Sequence, residues 1–213
     1  MRPKLKTEDR QAELVAAALL LAATKSPSEI TTGDLANVIG ITQGGVFKHF
    51  DSKEAIWLAA IEWAHQDLMK KLMLEAKVRN QTAFKSLRAV FMAHIGFVQQ
   101  YPGVPRLIFQ ELQHPEQTLL KERVQLLMAD YRQLISGLLA QARKDAEISP
   151  EADLQAAVVL FIGAIQGLVM QSLITGSLEK IKQQAKTVFS IYEAGLLASS
   201  AKKAEIGRAS CRE

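Results

Sequence analysis

The stretch from Ile30 to Glu54, ITTGDLANVIGITQGGVFKHFDSKE, carries denser local folding instructions than any other part of the 213-residue chain. Thr31 stands three residues before Asp34, so a hydroxyl and a carboxylate can satisfy the free N–H groups that open a helix, and Gly40 follows Ile39 as its terminator. Inside that short helix Leu35, Val38 and Ile39 recur at helical spacing and predict one packed face. Gly40 and Ile41 then make a turn, and Thr42 is a good N-cap for a second short helix. Val46, Phe47 and Phe50 are the expected buried side of this helix, leaving Gln43, Gly44, Gly45, Lys48 and His49 outward. Asp51 or Ser52 caps a third, longer helix. The pattern predicts a helix-turn-helix over about residues 31–50.

The outward residues suit the major groove of a duplex. A Gln side chain can pair with adenine through two bonds, Lys reaches guanine or phosphate, and two glycines allow backbone to approach without a Cβ in the way. Lys53, in the first turn of the third helix, opposes the helix dipole at a cost on the order of a few tenths of a kcal/mol, which a phosphate contact would offset. Two plainer readings compete. One is a helical hairpin whose Lys48, His49 and Lys53 form a solvated face; caps, turn glycine, outward glycines and basic side chains within one short run speak against it. The other is a phosphate loop at Gly44 and Gly45, but no strand precedes them and the spacing matches neither phosphate-loop pattern.

The same run resembles the DNA-binding domain of the TetR (TetR/AcrR) family of bacterial transcriptional regulators. The resemblance rests on Thr31, Asp34, Leu35, Ala36, Gly40, Ile41, Thr42, Gly44, Phe47, His49, Phe50, Ser52, Lys53 and Glu54, with the aromatic-x-His-Phe and Ser-Lys-Glu signatures at their kept intervals. Two positions depart: Phe47 stands where the family usually has Tyr, so a hydroxyl bond to phosphate is lost, and Gly45 replaces a small hydroxyl residue or Ala. The resemblance implies an all-α protein with an N-terminal three-helix helix-turn-helix domain and a larger C-terminal helical domain for ligand binding and dimerisation. It implies a repressor that binds an inverted-repeat operator as a homodimer and is released by a small-molecule effector. In that reading Thr42, Phe47, His49 and Lys53 face the phosphates, Gln43, Lys48 and the backbone at Gly44 and Gly45 meet base edges, and Thr31 belongs to the same DNA-binding set. The competing reading is a helical ligand-binding or adaptor protein that keeps a vestigial DNA-binding head.

Charge is compatible with a nucleic-acid partner but does not argue for one: the chain carries a formal +4, yet Met1 to Lys53 hold seven basic and six acidic residues, so basic groups must be sorted in space. Arg2, Lys4 and Lys6 form a short basic arm suited to phosphates or a minor groove. The single cysteine, Cys211, excludes a disulfide framework and points to a cytoplasmic protein. The segment 205–213, EIGRASCRE, has no apolar periodicity and reads as a translated adaptor sequence; it is set aside, which puts the expected authentic end near Ala204. No apolar leader opens the chain. Enzyme signatures are missing from the sequence: there is no Gly-x-Ser-x-Gly and no His-Glu-x-x-His, and His49, His65, His94 and His114 are scattered. No cofactor or metal is expected.

In order, the first helix should run from Thr7 to about Thr24, and the long helix after the helix-turn-helix from Lys53 to about Val78. The head is taken as 7–67 and the second domain as 78–200. Phe84, Leu87, Phe91, Ile95 and Val98 make a helical stripe that ends at Tyr101-Pro102-Gly103, and a short helix follows Pro105. Leu120, Val124, Leu127, Tyr131, Leu134 and Leu138 predict a long amphipathic helix to Lys144. Ser149-Pro150-Glu151 should start the next, an uncharged and nearly all-apolar helix read as a buried soluble element; Gly176 ends it and Ser177 caps the last. Two such helices hold more apolar surface than one subunit can cover, so Ala156, Gly163, Gly167, Val188 and Tyr192 are assigned to a dimer interface. Trp63, Phe91, His94, Phe109, Met128, Tyr131, Phe161 and Gln166 are the candidate effector-pocket set, with an amphipathic or hydrophobic effector the expectation.

Overall fold

The computed structural model describes residues 6–78 and 81–197. Arg2 and Lys4 of the basic arm, the segment 198–213 with Cys211, and the proposed end near Ala204 lie outside the described residues. Every regular element among the described residues is helical: α1 Thr7–Ala22, α2 Thr32–Ile39, α3 Gln43–Val46, α4 Lys53–Ala76, α5 Ala83–Gln100, α6 Gly103–Leu112, α7 Leu119–Lys144, α8 Leu154–Thr175 and α9 Ile181–Leu197. A single 3-10 turn, Leu178–Lys180, leads into α9.

The described residues form two compact units, one made of those up to 68 together with 100–128, the other of those within 69–99 together with those from 129 to 197. This spatial division is a different cut from the linear one into 7–67 and 78–200, because α6 and the start of α7 are part of the unit that holds α1 to α3.

In the first unit Leu14, Ala18, Ile30, Leu35 and Val46 are fully buried and knit α1, α2 and α3 together. Gly103 brings α6 onto α1: a Cβ built there would lie 2.1 Å from the carbonyl oxygen of Leu19, so only glycine permits the approach. The expected turn glycine is thus a packing glycine, and α6 starts at Gly103, two residues before Pro105, which sits in its first turn. Val38 is 44% exposed and Phe47 48%, so neither belongs to the packed faces the periodicity assigned them.

In the second unit α8 packs on α9. Asp153 caps α8 by accepting from the N–H groups of Gln155 and Ala156, so this helix starts three residues beyond Glu151; Ser149 instead closes a turn with Glu151 and donates its N–H to Leu196. Gly176 ends α8 with φ 66°, the left-handed cap conformation that glycine adopts without strain. Ser177 makes no side-chain cap. On α7 the buried stripe is Tyr131, Ile135 and Leu139, one position on from the expected Leu134 and Leu138. The N–H groups of Ala83 and Phe84 at the start of α5 are capped across 63 and more residues by the Glu147 carboxylate, at 3.1 and 2.9 Å.

Candidate nucleic-acid interface

The turn between α2 and α3 is fixed by side chains. Thr31 Oγ1 accepts from the Asp34 N–H at 3.1 Å, and Asp34 Oδ2 accepts from the Thr31 N–H at 2.8 Å, a reciprocal capping box. Lys25 adds an ion pair to the same carboxylate oxygen at 2.9 Å. Hydrogen bonds from the Thr31 backbone and from Lys25 hold the Asp34 carboxyl down at about 2, so the cap stays ionised through the neutral range. Gly40, with φ 68°, ends α2, and Thr42 Oγ1 accepts from the Gly45 N–H at 3.1 Å to open α3. Ser52 caps α4 by accepting from the Ala55 N–H at 3.1 Å.

The residues assigned to the duplex lie along this edge, each with its own constraint. Thr42, Gln43, Gly44, Phe47 and Lys48 are exposed. Thr31 is exposed too, but its hydroxyl is engaged with Asp34, which makes it a cap before it is a contact. The Gln43 side-chain amide donates to Thr32 Oγ1 at 2.8 Å, so it must let go of that hydroxyl to pair with a base. The two glycines differ. A Cβ at Gly44 would meet nothing within 4 Å, whereas one at Gly45 would come within 3.3 Å of Ile41 Cδ1 and 3.4 Å of Thr42 Oγ1. Gly44 therefore leaves the outer surface open, whereas a side chain at Gly45 would press on Ile41 and Thr42 and require them to shift slightly.

His49 is half-buried, not outward: Nδ1 is buried without a hydrogen-bond partner, and its carbonyl accepts from Gln11 Nε2 of α1 at 2.9 Å. The Lys53 ammonium donates to the Ser28 carbonyl at 3.1 Å, tying the start of α4 to the α1–α2 loop. Gln11, Lys25 and Thr32 thus belong to the support of this edge. Nothing in local spacing marks them, since each acts across 9 or more residues.

The effector-pocket set divides. Phe91, His94, Tyr131 and Phe161 come together in the second unit, with Phe91 edge-on to Phe161 at 5.2 Å and His94 Nδ1 hydrogen-bonded to the Tyr131 hydroxyl at 3.0 Å. Phe189, missed by the sequence reading, joins them 5.3 Å from Phe91. Burial lowers the His94 pKa to about 4 and raises that of Tyr131 well above its usual value, so both are neutral near pH 7. Trp63, Phe109 and Met128 fall in the first unit, where Trp63 packs edge-on against Tyr101 at 4.8 Å. Gln166 is exposed on α8 and does not join the aromatic set.

The dimer-interface set divides as well. Ala156, Gly163 and Gly167 are exposed, Val188 is half-buried, and Tyr192 is an internal residue whose hydroxyl donates to the Ala157 carbonyl at 3.1 Å. Tyr192 is therefore withdrawn from that face. α8 has a mean hydropathy of 2.1, and 44% of its most apolar stretch is buried, so part of its apolar surface stays exposed. By length and composition alone it could cross a membrane, but eight of its residues are buried in the unit. At 100° per residue, Val159, Leu160, Gly163, Gly167, Met170 and Ile174 fall within one exposed arc. Among the described residues no group of three His, Cys, Asp or Glu side chains is placed to hold a metal.

Comparison with known proteins bears on both units. Residues 14–60 match the model for bacterial regulatory proteins of the tetR family, and residues 110–188 match the tetracyclin repressor-like C-terminal domain. The nucleoid occlusion factor SlmA of Serratia proteamaculans is 26% identical over 147 residues, which are 69% of this chain and 72% of that protein. SlmA of Yersinia enterocolitica is 29% identical over 122 residues, 57% of this chain and 61% of the relative, so the chain spans about three-fifths of its length. Among solved structures, the fatty acid degradation regulator FadR of Bacillus halodurans has a TM-score of 0.77 at 15% identity, covering 92% of this chain and 98% of that one. FadR of Bacillus subtilis, solved in complex with stearoyl-CoA, has 0.75 at 17%, covering 86% and 98%. The ketosteroid regulator KstR2 of Mycobacterium tuberculosis has 0.74 at 18%, covering 88% and 95%. At these identities the structures establish the fold.

Proposed function

Since the chain belongs to the TetR family of bacterial regulatory proteins and is a DNA-binding transcriptional regulator, we propose that it is a repressor that binds an inverted repeat as a homodimer and lets go when a small molecule enters its second unit. The observation that supports the DNA contact best is the exposed edge of Thr42, Gln43, Gly44 and Lys48, held by caps on both sides of a left-handed glycine. Two such edges on a two-fold dimer would read half-sites about 34 Å apart. Base edges fall to Gln43, Lys48 and the glycine backbone, and phosphates to Thr42 and Lys53, with the exposed Phe47 ring beside them.

The dimer reading is supported by the exposed arc of α8. A Cβ added at Gly163 or Gly167 would meet nothing within 4 Å, so a second helix has room to come close between flanking Leu160, Val159 and Met170. Replacing Gly163 or Gly167 by Asp should give a folded monomer by light scattering; an intact dimer would reject this face. The effector reading rests on the aromatic set of Phe91, Tyr131, Phe161 and Phe189, which suits a hydrophobic or amphipathic molecule, in keeping with a FadR solved with an acyl-CoA. Such a molecule must bind the DNA-incompetent state better, by about 1–3 kcal/mol of coupling.

The test is fluorescence anisotropy on DNA from upstream of the chain's own gene, with scrambled competitor and at two salt concentrations. Competitor-resistant binding to an inverted repeat is the expected result. Weak binding that is equal on both DNAs and vanishes with salt, repeated across a genomic fragment library, would instead favour the adaptor reading with a vestigial head.

A further inference from the structure

The first unit contains a cleft that shares only Lys53 with the DNA edge. It holds about 610 Å³ and opens between the α1–α2 loop, the start of α4, α6 and the start of α7. That volume is in the range of small-molecule sites. Trp57, Leu58, Leu107 and Leu120 give it a largely apolar wall. Set into that wall is Glu111, only 7% exposed and the one buried acidic residue among the described residues. Its carboxylate accepts from the Thr118 hydroxyl, a neutral donor.

A carboxylate withdrawn from water needs more than one neutral hydroxyl to offset its desolvation. One lysine, Lys53, lines the cleft, and its charge can offset at most one carboxylate there. The Lys53 ammonium, in the same cleft, donates to the Ser28 carbonyl, and that of Lys121 donates to the carbonyls of His114 and Glu116. Glu54 adds a second carboxylate to the lining. The cleft therefore presents an apolar wall beside two carboxylate side chains and one ammonium, which is the complement of an amine on a small apolar body. We propose that this cleft is a binding site for a cationic amphiphile, whose ammonium group pairs with Glu111 and whose apolar part lies on Trp57 and Leu58. The site is distinct from the aromatic set of the second unit and does not depend on it.

The test uses phenethylamine and its neutral counterpart 2-phenylethanol as probes of the full chain, by ligand-observed NMR titration without DNA. Phenethylamine should bind at least ten-fold more tightly than the alcohol. Glu111→Gln, which keeps an acceptor for Thr118, should abolish that preference while leaving the alcohol's binding in place. Leu119→Arg supplies a second variant at a position 69% exposed on the cleft rim, where folding is not at stake, and it should weaken the amine selectively by repulsion. Equal binding of the two probes to the unaltered chain, or a preference that survives both substitutions, would overturn the assignment.

Discussion

The two units keep their order by different means. In the helix-turn-helix the elements are too short to be stable alone, four residues in α3 and eight in α2, and their shape rests on side-chain caps and a left-handed glycine. In the second unit the helices run to 22 and 17 residues, and their order rests on stacked rings: Phe161 lies against Phe91, Tyr131, Phe189 and Tyr192 within 5.2 to 6.5 Å. The difference teaches where each unit is sensitive. Polar geometry decides the first and apolar volume the second, so one kind of substitution should damage one unit and spare the other.

The largest expected effect is in the aromatic core. Phe161→Ala, at a fully buried position, should cost about 3–5 kcal/mol in urea unfolding followed by far-UV circular dichroism. A loss under 1 kcal/mol would mean the rings are not what orders that unit. Next comes pH. The folded-state pKa of His94 is about 4, against 6.5 for the free side chain, because burial disfavours its charged form. Below 6.5 the unfolded chain binds a proton that the folded one refuses, so stability is full above that pH and is lost as pH falls towards 4. The loss is at most about 3 kcal/mol, reduced by whatever water reaches the half-buried residue. His94→Gln, measured by urea midpoints across this window, should flatten the slope; an unchanged slope would assign it elsewhere.

The smallest change in stability separates fold from contact in the other unit. Gly44→Ala meets open space, so the melting temperature should hold or rise slightly, by about 0.5–1 kcal/mol equivalent, since alanine is the better helix former. DNA affinity should nevertheless drop, because a methyl group then stands where backbone would approach the duplex. Unchanged operator affinity by anisotropy would show that Gly44 is not at the interface.

The same contrast governs what could be read from sequence. Thr31 with Asp34, Gly40 and Thr42 act within a few residues, so the caps of the helix-turn-helix were legible as written. Gln11 on the His49 carbonyl and Glu147 on the start of α5 act over 38 and 63 or more residues, and no local pattern announces them. Periodicity failed in two ways. On α7, Leu134, Ile135, Leu138 and Leu139 offer two overlapping stripes of equal apolarity, and only packing chooses Ile135 and Leu139. On α8 nearly every position is apolar, so the pattern cannot say which side faces out, and Gln166, assigned to the pocket, is exposed; on α9 Tyr192, assigned to the outer face, turns inward to the Ala157 carbonyl. Phe47 was misjudged for the opposite reason: aromatic character suggested burial, while α3 ends before its turn can bring the ring inward.

Gly103 carries a consequence for how this sequence can drift. Its contact with α1 is backbone against backbone, so no compensating change of side chain on either helix can make room for a Cβ 2.1 Å from the Leu19 oxygen. Gly137 and Gly195, with nothing within 4 Å, are free of that restriction. A saturation library selected for soluble chain should therefore fall silent at position 103 and stay populated at 137 and 195, a record of helix docking written in codon tolerance.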